Sequence, residues 1–188
     1  YRDVFGKTGY EELNAGAESV PPGCDGLMFH PYLNGELTPY NDPSLKASYT
    51  GISSRHTADF FTRATLEGVA FSLKDCMDTV WKLGMKMNRV RIIGGGAKGR
   101  LWRQIVSDVL GISLEKVRTD DSSFGTAMLT AVGIGWFSDY EEAAETCVEI
   151  DSVTEPDSEN QKIYEELFCE YKEIHDALEG IYKRRPGF

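Results

Sequence analysis

The sequence has 188 residues, of which 41% are hydrophobic and 11% aromatic, enough to bury the core of one globular domain. Its formal net charge is −10, and fifteen of its thirty acidic side chains lie between residues 139 and 179, so we expect no nucleic-acid partner. It contains neither an apolar run of eighteen residues nor a charged-then-apolar leader pattern, so we expect no membrane partner and a cytoplasmic location.

The first half of the chain predicts the end of a helix at residues 1–3, then a short helix and a Pro-Pro-Gly loop before residue 26. The segment GLMFHPYL, 26–33, predicts a short apolar strand that Pro31 ends. Residues 35–55 are rich in Pro, Asn, Asp, Ser and Gly and too long for a plain connection, which indicates a functional loop. A long helix follows between Thr57 and Gly84, with apolar residues at helical spacing at Phe61, Leu66, Val69, Leu73, Met77 and Val80.

The second half alternates strands and helices. We predict a strand at 90–93, a helix at 100–110 ended by Gly111, a strand at 112–119 and a helix of small residues at 123–133. This order predicts two parallel strands with helices packed on the sheet. A last helix, 158–183, carries one apolar stripe that predicts core packing: Ile163, Leu167, Tyr171, Ile174, Leu178 and Ile181.

Side chains that could catalyse a reaction or bind a metal are scattered along the chain. The four cysteines are far apart and form no C-x-x-C pair, which predicts reduced structural thiols at Cys24, Cys76, Cys147 and Cys169. The histidines are isolated in the sequence, so we expect no catalytic or metal role for His30, His56 and His175. Surface or capping roles are expected for five carboxylates: Asp42, Asp59, Asp75, Asp120 and Asp121.

The segment RIIGGGAKGRLW, 91–102, places three glycines between a predicted strand and a predicted helix. Gly94, Gly96 and Gly99 match the G-x-G-x-x-G pattern of dinucleotide-binding sites, with Asp120 or Asp121 as the ribose acid. That motif normally opens a six-stranded domain, whereas only about ninety, mostly helical, residues follow here. The alternative interpretation is a tight strand-to-helix turn that binds nothing.

Four motifs together resemble one family across nearly the whole chain. They are GCDGLMFHPYLNGELTPYNDP, YTGISSRHTADFFTRATLEGVAFSLKD, RVRIIGGGAKGRLWRQIVSDVLG and SFGTAMLTAVGIGWF. In order and spacing they resemble the C-terminal lobe of the FGGY carbohydrate kinases, most closely the kinases of D-xylulose. The resemblance implies an α/β fold of the actin-like ATPase, ribonuclease H-like class, with a mixed sheet and packed helices. Residues 1–188 would form one C-terminal kinase domain without its first strands, and 158–183 its last helix.

By this resemblance the glycines form the adenosine loop of an ATP site. Beside the nucleotide it places Gly94, Gly95, Gly96 and Ala97, with Arg100 near the adenine. Lys98 would help to neutralise phosphate, although a solvated lysine on an exposed turn is an equal interpretation. Structural support is implied for four residues: Trp102 and Gln104 would anchor the helix, and Gly125 and Ala127 would let helix 123–133 pack closely on the sheet.

The implied activity is transfer of the γ-phosphate of ATP, with Mg²⁺, to a hydroxyl of a ketopentose such as D-xylulose. The catalytic aspartate, the metal contacts and most sugar contacts would lie upstream in the N-terminal lobe, so this chain would hold no catalytic residue and be inactive alone. Whether the protein forms a homodimer is left open by the resemblance. The alternatives are a non-catalytic nucleotide-binding or interaction module and, third, a fragment of an NAD-binding dehydrogenase.

Two departures from the family pattern leave the sugar open. Leu37 stands in the segment 35–39 where these kinases commonly have an arginine, so the ionic role of that arginine is absent. Phe60 replaces a residue that is usually polar in the second motif. Neither change touches the glycine loop.

Overall fold

The computed structural model describes residues 9–85, 87, 89–119 and 121–184. Six helices and five strands are described, in the order α1 (Tyr10–Glu18), β1 (Met28–His30), β2 (Ser48–Thr50), α2 (Ala58–Lys82), β3 (Val90–Ile92), α3 (Arg100–Leu110), β4 (Leu114–Val117), α4 (Ser122–Gly133), α5 (Tyr140–Cys147), β5 (Ile150–Thr154) and α6 (Ser158–Tyr182). Short 3₁₀ turns cover Cys24–Gly26 and Gly95–Lys98. The helix end predicted at residues 1–3 lies outside the described residues.

The main sheet has three strands in the order β3-β4-β5. Strand β3 pairs with β4 in parallel, with Val90 opposite Leu114, and β4 pairs with β5 antiparallel, with Leu114 opposite Thr154. The predicted α/β class with a mixed sheet is therefore confirmed. Strand β5 and helix α5 were not predicted, because both lie in the acidic region, where no apolar periodicity marks them.

A second sheet forms from β1 and β2, which pair antiparallel with Phe29 opposite Tyr49. Strand β1 lies within the predicted strand segment. Strand β2 lies inside 35–55, which was predicted to be irregular throughout. That stretch also contributes Leu45, which is fully buried, so part of it belongs to the core.

Helix α2 lies at the centre of the molecule and contacts α1, β1 and α3. The apolar residues at helical spacing do not mark its most buried face: Leu73 is 41% exposed. The buried residues are instead Thr62, Arg63, Ala64, Glu67, Gly68, Ala70, Phe71 and Asp75. The predicted helix is thus found, but several elements surround it, and small or mutually paired polar residues allow them to approach closely.

Helix α6 shows a similar offset. Its buried residues are Tyr164, Phe168, Tyr171 and His175, whereas the predicted stripe residues Ile163 and Ile181 are 41% and 37% exposed. Tyr164 and Tyr171 occupy the inner face because their hydroxyls find hydrogen-bond partners there, and His175 stacks on Tyr40; the periodicity of apolar residues alone does not reveal this.

The main core lies between α2, α3, β4 and α6, around residues such as Phe71, Ile105, Leu114 and Tyr171. Helix α4 contributes no buried residue and packs on α5. Among the helices that the structure describes, none combines the length and the apolarity needed to cross a membrane.

Candidate functional site

The glycine loop joins β3 to α3 through a conformation that only glycine adopts easily. Gly94 has φ 78° and ψ −166°, a region closed to residues that carry a Cβ. The chain then makes one 3₁₀ turn, in which the Ala97 amide donates to the Gly94 carbonyl (3.1 Å) and the Gly99 amide to the Gly96 carbonyl (3.2 Å). Helix α3 begins directly afterwards, at Arg100.

The loop and the start of α3 together present backbone N–H groups that have no acceptor among the described residues. The helix begins at a glycine, so no side chain caps it, and its first amides lack an intrahelical partner. The unmatched donors are the amides of Gly95, Gly96, Arg100, Leu101 and Trp102. With the positive end of the helix dipole, they form a surface suited to oxygen atoms of an anionic ligand.

Trp102 supports the loop from below. A Cβ built on Gly96 would lie 3.0 Å from the Trp102 Nε1, and one on Gly99 would lie 3.5 Å from the Trp102 Cβ. The indole therefore limits how closely the loop can approach the helix. Ala97, only 1% exposed, is the one loop residue that points into the core.

Gln104 anchors α3 to a different part of the chain. Its amide nitrogen donates to Asp108 Oδ1 (2.7 Å) and to the Glu155 carbonyl (2.9 Å). Asp108 is buried and also accepts from the Asp157 amide (2.7 Å) and from Asn160 Nδ2 (3.0 Å). The sequence prediction did not include Asp108, because all its partners except Gln104 are distant in the chain.

The two cations predicted near the nucleotide are both at the surface. Lys98 is exposed and forms no ion pair with a described residue. Arg100 pairs with Glu18 of α1 at 2.8 Å, but the two side chains are 85% and 52% exposed. Such a pair contributes little stability and leaves the guanidinium free to move to a ligand.

Arg103, which the sequence prediction did not include, contacts the loop directly. Its Nη1 donates to the Ala97 carbonyl at 2.5 Å, and its own amide donates to the Gly99 carbonyl at 3.1 Å. The four-residue spacing from Gly99 to Arg103 could have suggested this contact, since about one helical turn returns Arg103 to the loop side.

The predicted close packing of helix 123–133 on the sheet is not found within the described residues. A Cβ on Gly125 would meet nothing within 4 Å, and Ala127 is exposed. Gly125 lies instead at an open apolar depression that it shares with Met128, Leu129 and Tyr140. Among the described residues α4 packs on α5 and buries none of its own residues, so structural support of the glycine loop by Gly125 and Ala127 stays a prediction.

Asp121 has the capping role expected for it. Its Oδ1 accepts from the Ser123 amide at 2.8 Å at the start of α4, and this backbone hydrogen bond lowers the pKa of the carboxyl below its ordinary value. Asp120, the other candidate ribose acid, lies outside the described residues.

Two histidines expected to be isolated are brought together by the fold. His30 Nε2 bonds the Tyr171 carbonyl (2.9 Å) and stacks on the Tyr171 ring, while His175 stacks on Tyr40 with centroids 3.8 Å apart. Burial lowers the pKa of His30 to about 4 and that of His175 below its ordinary value. The residues of this cluster, named here the histidine cluster, are His30, Tyr32, Tyr40, Asp75, Tyr171 and His175.

Asp75 belongs to this cluster and not to the surface, which corrects the prediction. It is 3% exposed, accepts from the Tyr40 hydroxyl, and pairs with Lys172 at 3.3 Å. The cluster ties α2 and α6 to the segment that follows β1. It holds aromatic rings around neutral imidazoles, a structural arrangement.

The four cysteines are free, as predicted. Cys24 is buried beside Glu67, with Sγ 3.4 Å from Oε2, and burial raises the pKa of its thiol. Among the described residues, no three His, Cys, Asp or Glu side chains are placed to share a metal ion.

Comparison with known sequences identifies the family. The model of the FGGY family of carbohydrate kinases, C-terminal domain, matches residues 6–134. Xylulose kinases of Staphylococcus epidermidis and Bacillus subtilis are 38% and 36% identical to the chain over 178 and 180 residues. The alignments cover 94% and 95% of this chain but 36% of each relative, so the chain spans little more than a third of their length.

Solved structures agree in fold. The xylulose kinase and the gluconate kinase of Lactobacillus acidophilus each match with a TM-score of 0.88 at 26% identity, over 96% of this chain and 37% of theirs. A Plasmodium falciparum glycerol kinase, solved with ADP, matches with a TM-score of 0.72 at 23% identity, over 91% of this chain and 33% of its own, which shows the fold alone.

These matches overturn the dinucleotide interpretation of the glycine pattern, since the same glycines lie within the matched kinase domain. The chain belongs to the FGGY family of carbohydrate kinases, as its C-terminal domain.

Proposed function

We propose that this chain forms the adenosine side of an ATP site in a kinase that phosphorylates a ketopentose such as D-xylulose. The observation that carries the proposal is the set of unmatched amides on the glycine loop and at the start of α3. Their arrangement suits the ribose and the α-phosphate of a nucleotide, because no Cβ at Gly95 or Gly96 holds the backbone away.

The loop residues would contribute both direct contacts to the nucleotide and positive charge. Gly94 sets the turn, and Gly95, Gly96 and Ala97 would lie beside the nucleotide. Arg100 would leave its exposed pair with Glu18 and lie against the adenine. Lys98, exposed at the end of the 3₁₀ turn, would lower the cost of bringing phosphate charge to the loop.

In the proposed reaction Mg²⁺ would neutralise the charge on the terminal phosphates, with contacts that we assign to the upstream part of the full-length protein. The general base on the sugar hydroxyl is assigned to that part as well. The described residues contribute binding and orientation, which is the main requirement in phosphoryl transfer.

The choice of D-xylulose rests on the curated relatives, which are xylulose kinases at 36–38% identity. The gluconate kinase that matches equally well in structure is the competing case. Both D-xylulose and gluconate should be tested, because Leu37 carries no charge where a sugar kinase commonly has arginine. Its side chain is 76% exposed.

The first experiment measures thermal stabilisation of the full-length protein by nucleotides. We expect ATP and ADP to raise the melting temperature and NAD to leave it unchanged, because only a ligand that binds the native state stabilises it. Stabilisation by NAD alone would contradict the proposal.

The second experiment measures phosphoryl transfer to D-xylulose and to gluconate. We expect the full-length protein to prefer D-xylulose and the 188-residue chain alone to transfer nothing. Turnover by the chain alone at the usual kinase rate, about 1–100 per second, would show that the catalytic base lies within it. Nucleotide binding by the full-length protein without transfer to any sugar would favour the non-catalytic module.

A further inference from the structure

The side chain of Arg103 contacts the glycine loop from the first turn of α3. Its Nη1 donates to the carbonyl of Ala97, a residue that is 1% exposed. We propose that Arg103 is a positioning residue of the nucleotide loop: it holds the Ala97 carbonyl on the protein side, so that the loop presents amides and not carbonyls to the nucleotide. This inference rests on the proposed function.

The hydrogen bonds of the loop show why this contact matters. The Gly94 and Gly96 carbonyls are held within the loop by the amides of Ala97 and Gly99. The Ala97 carbonyl has no backbone donor among the described residues and is held by Arg103 alone. Without the guanidinium, this buried oxygen would lose its partner, which is costly. The peptide after Ala97 would gain by turning its carbonyl towards the cleft, where it would repel phosphate oxygens.

The charge of Arg103 supports the same conclusion. Four other described arginines form ion pairs with glutamate: Arg63, Arg91, Arg100 and Arg118. Arg103 pairs with no carboxylate among the described residues, and its buried Nε has no hydrogen-bond partner there. The hydrogen bond from Lys116 chiefly lowers the pKa of the Asp151 carboxyl, and Arg103 is near enough to add to this shift, but no described carboxylate forms an ion pair with the guanidinium. A cation without a close ion-pair partner, beside unmatched amides, favours an anionic ligand on them.

The test compares Arg103→Met with Arg103→Lys in the full-length protein. Arg118→Met is the matched control, because that arginine pairs with Glu149 on an exposed surface, with the two side chains 69% and 67% exposed. The measurements are the ADP dissociation constant, the KM for ATP, the KM for the sugar, kcat and the melting temperature.

We expect Arg103→Met to weaken ADP binding and raise the KM for ATP about tenfold, the effect of losing one charge-assisted hydrogen bond. The KM for the sugar should stay within about twofold, because the Arg103 contact is with the nucleotide loop. Uniform damage to the fold would instead raise the KM values for ATP and for the sugar together. Arg103→Lys should fall between, since lysine keeps a donor and the charge but not the planar fork. The control should match the wild type.

An unchanged ADP affinity in folded Arg103→Met would overturn the inference, and so would equal increases in both KM values. If the methionine variant does not fold, Arg103→Lys decides: wild-type ADP affinity in that variant would equally overturn it. A wild-type protein that binds no ADP would instead contradict the proposed function itself.

Discussion

The indole of Trp102 lies directly under Gly96, so that a Cβ at position 96 would come within 3.0 Å of Nε1 and 3.3 Å of Cδ1. The side chain that supports the loop is thus also the one that a larger residue at position 96 would have to displace. Contacts this short force a shift of the indole or of the backbone above it.

Gly96→Val should therefore weaken binding of adenine nucleotides to the full-length protein while the fold persists. The valine would lift the loop and cover the Gly96 amide, but Gly96 itself is exposed and outside the core. Calorimetric titration with ADP checks this, with Gly9→Val as control, since a Cβ on Gly9 meets nothing within 4 Å. Equal ADP affinity of both variants and the wild type would mean that the loop is only a turn.

The buried pair on α2 predicts a large loss of stability when one partner is removed. Arg63 Nε lies 2.7 Å from Glu67 Oε1, and the two side chains are 6% and 4% exposed. Tyr164 joins them by donating to Glu67 (2.8 Å) and accepting from Arg63 Nη2 (2.9 Å). Arg63→Met would leave the Glu67 carboxylate buried without its cation, at a cost of about 3–5 kcal/mol.

Urea denaturation of the full-length protein measures this cost. The exposed pair of Arg118 and Glu149 supplies the comparison, because Arg118→Met should change the free energy of unfolding by less than about 1 kcal/mol. A similar small effect for Arg63→Met would show that water reaches Glu67 in solution.

The histidine cluster predicts a loss of stability on acidification. His30 Nε2 must carry the proton that it donates to the Tyr171 carbonyl, so Nδ1 is the unprotonated nitrogen, and it is buried without a partner among the described residues. Burial lowers the pKa of His30 from 6.5 to about 4. As the pH falls, the unfolded chain therefore binds a proton at this histidine before the folded chain does. The resulting contribution of His30 to the free energy of unfolding, on the order of 3 kcal/mol, is fully present above pH 6.5 and is lost as the pH falls towards 4.

His30→Gln keeps a donor for the Tyr171 carbonyl but removes the titration. Its free energy of unfolding should fall less between pH 7 and pH 5 than that of the wild type, measured by urea denaturation at each pH. His56→Gln, outside the cluster, should keep the wild-type slope. A parallel pH dependence of His30→Gln and wild type would place the acid sensitivity at another group.

Gly68 predicts a steric limit at the contact between α2 and β1. A Cβ there would lie 2.0 Å from the Phe29 carbonyl oxygen, a backbone atom that cannot move without its strand. Gly68→Ala should lower the melting temperature, at a cost of about 1–3 kcal/mol or more. Gly180→Ala is the control, because its Cβ would meet only an ordinary contact at 3.6 Å within a helix.

The sequence alone determined the elements that depend on local chain properties. The order of strand, glycine turn, helix and strand around residues 90–117 could be predicted because apolar runs, a glycine-only φ at Gly94 and a glycine end at Gly111 act within a few residues. The four linked motifs identified the family for the same reason, since each is a contiguous segment.

Tertiary structure decided which distant residues meet. His30 and Tyr171 are 141 positions apart, and Arg63 and Tyr164 are 101 apart, so no local period predicts either contact. Strand β5 exists because β4 offers it a pairing edge, not because its own residues form an apolar run. Arg103 reaches Ala97 only because the 3₁₀ turn folds the loop back over the first turn of α3. Periodicity and turn chemistry act through neighbouring residues, whereas burial of paired polar groups depends on packing between elements far apart in the chain.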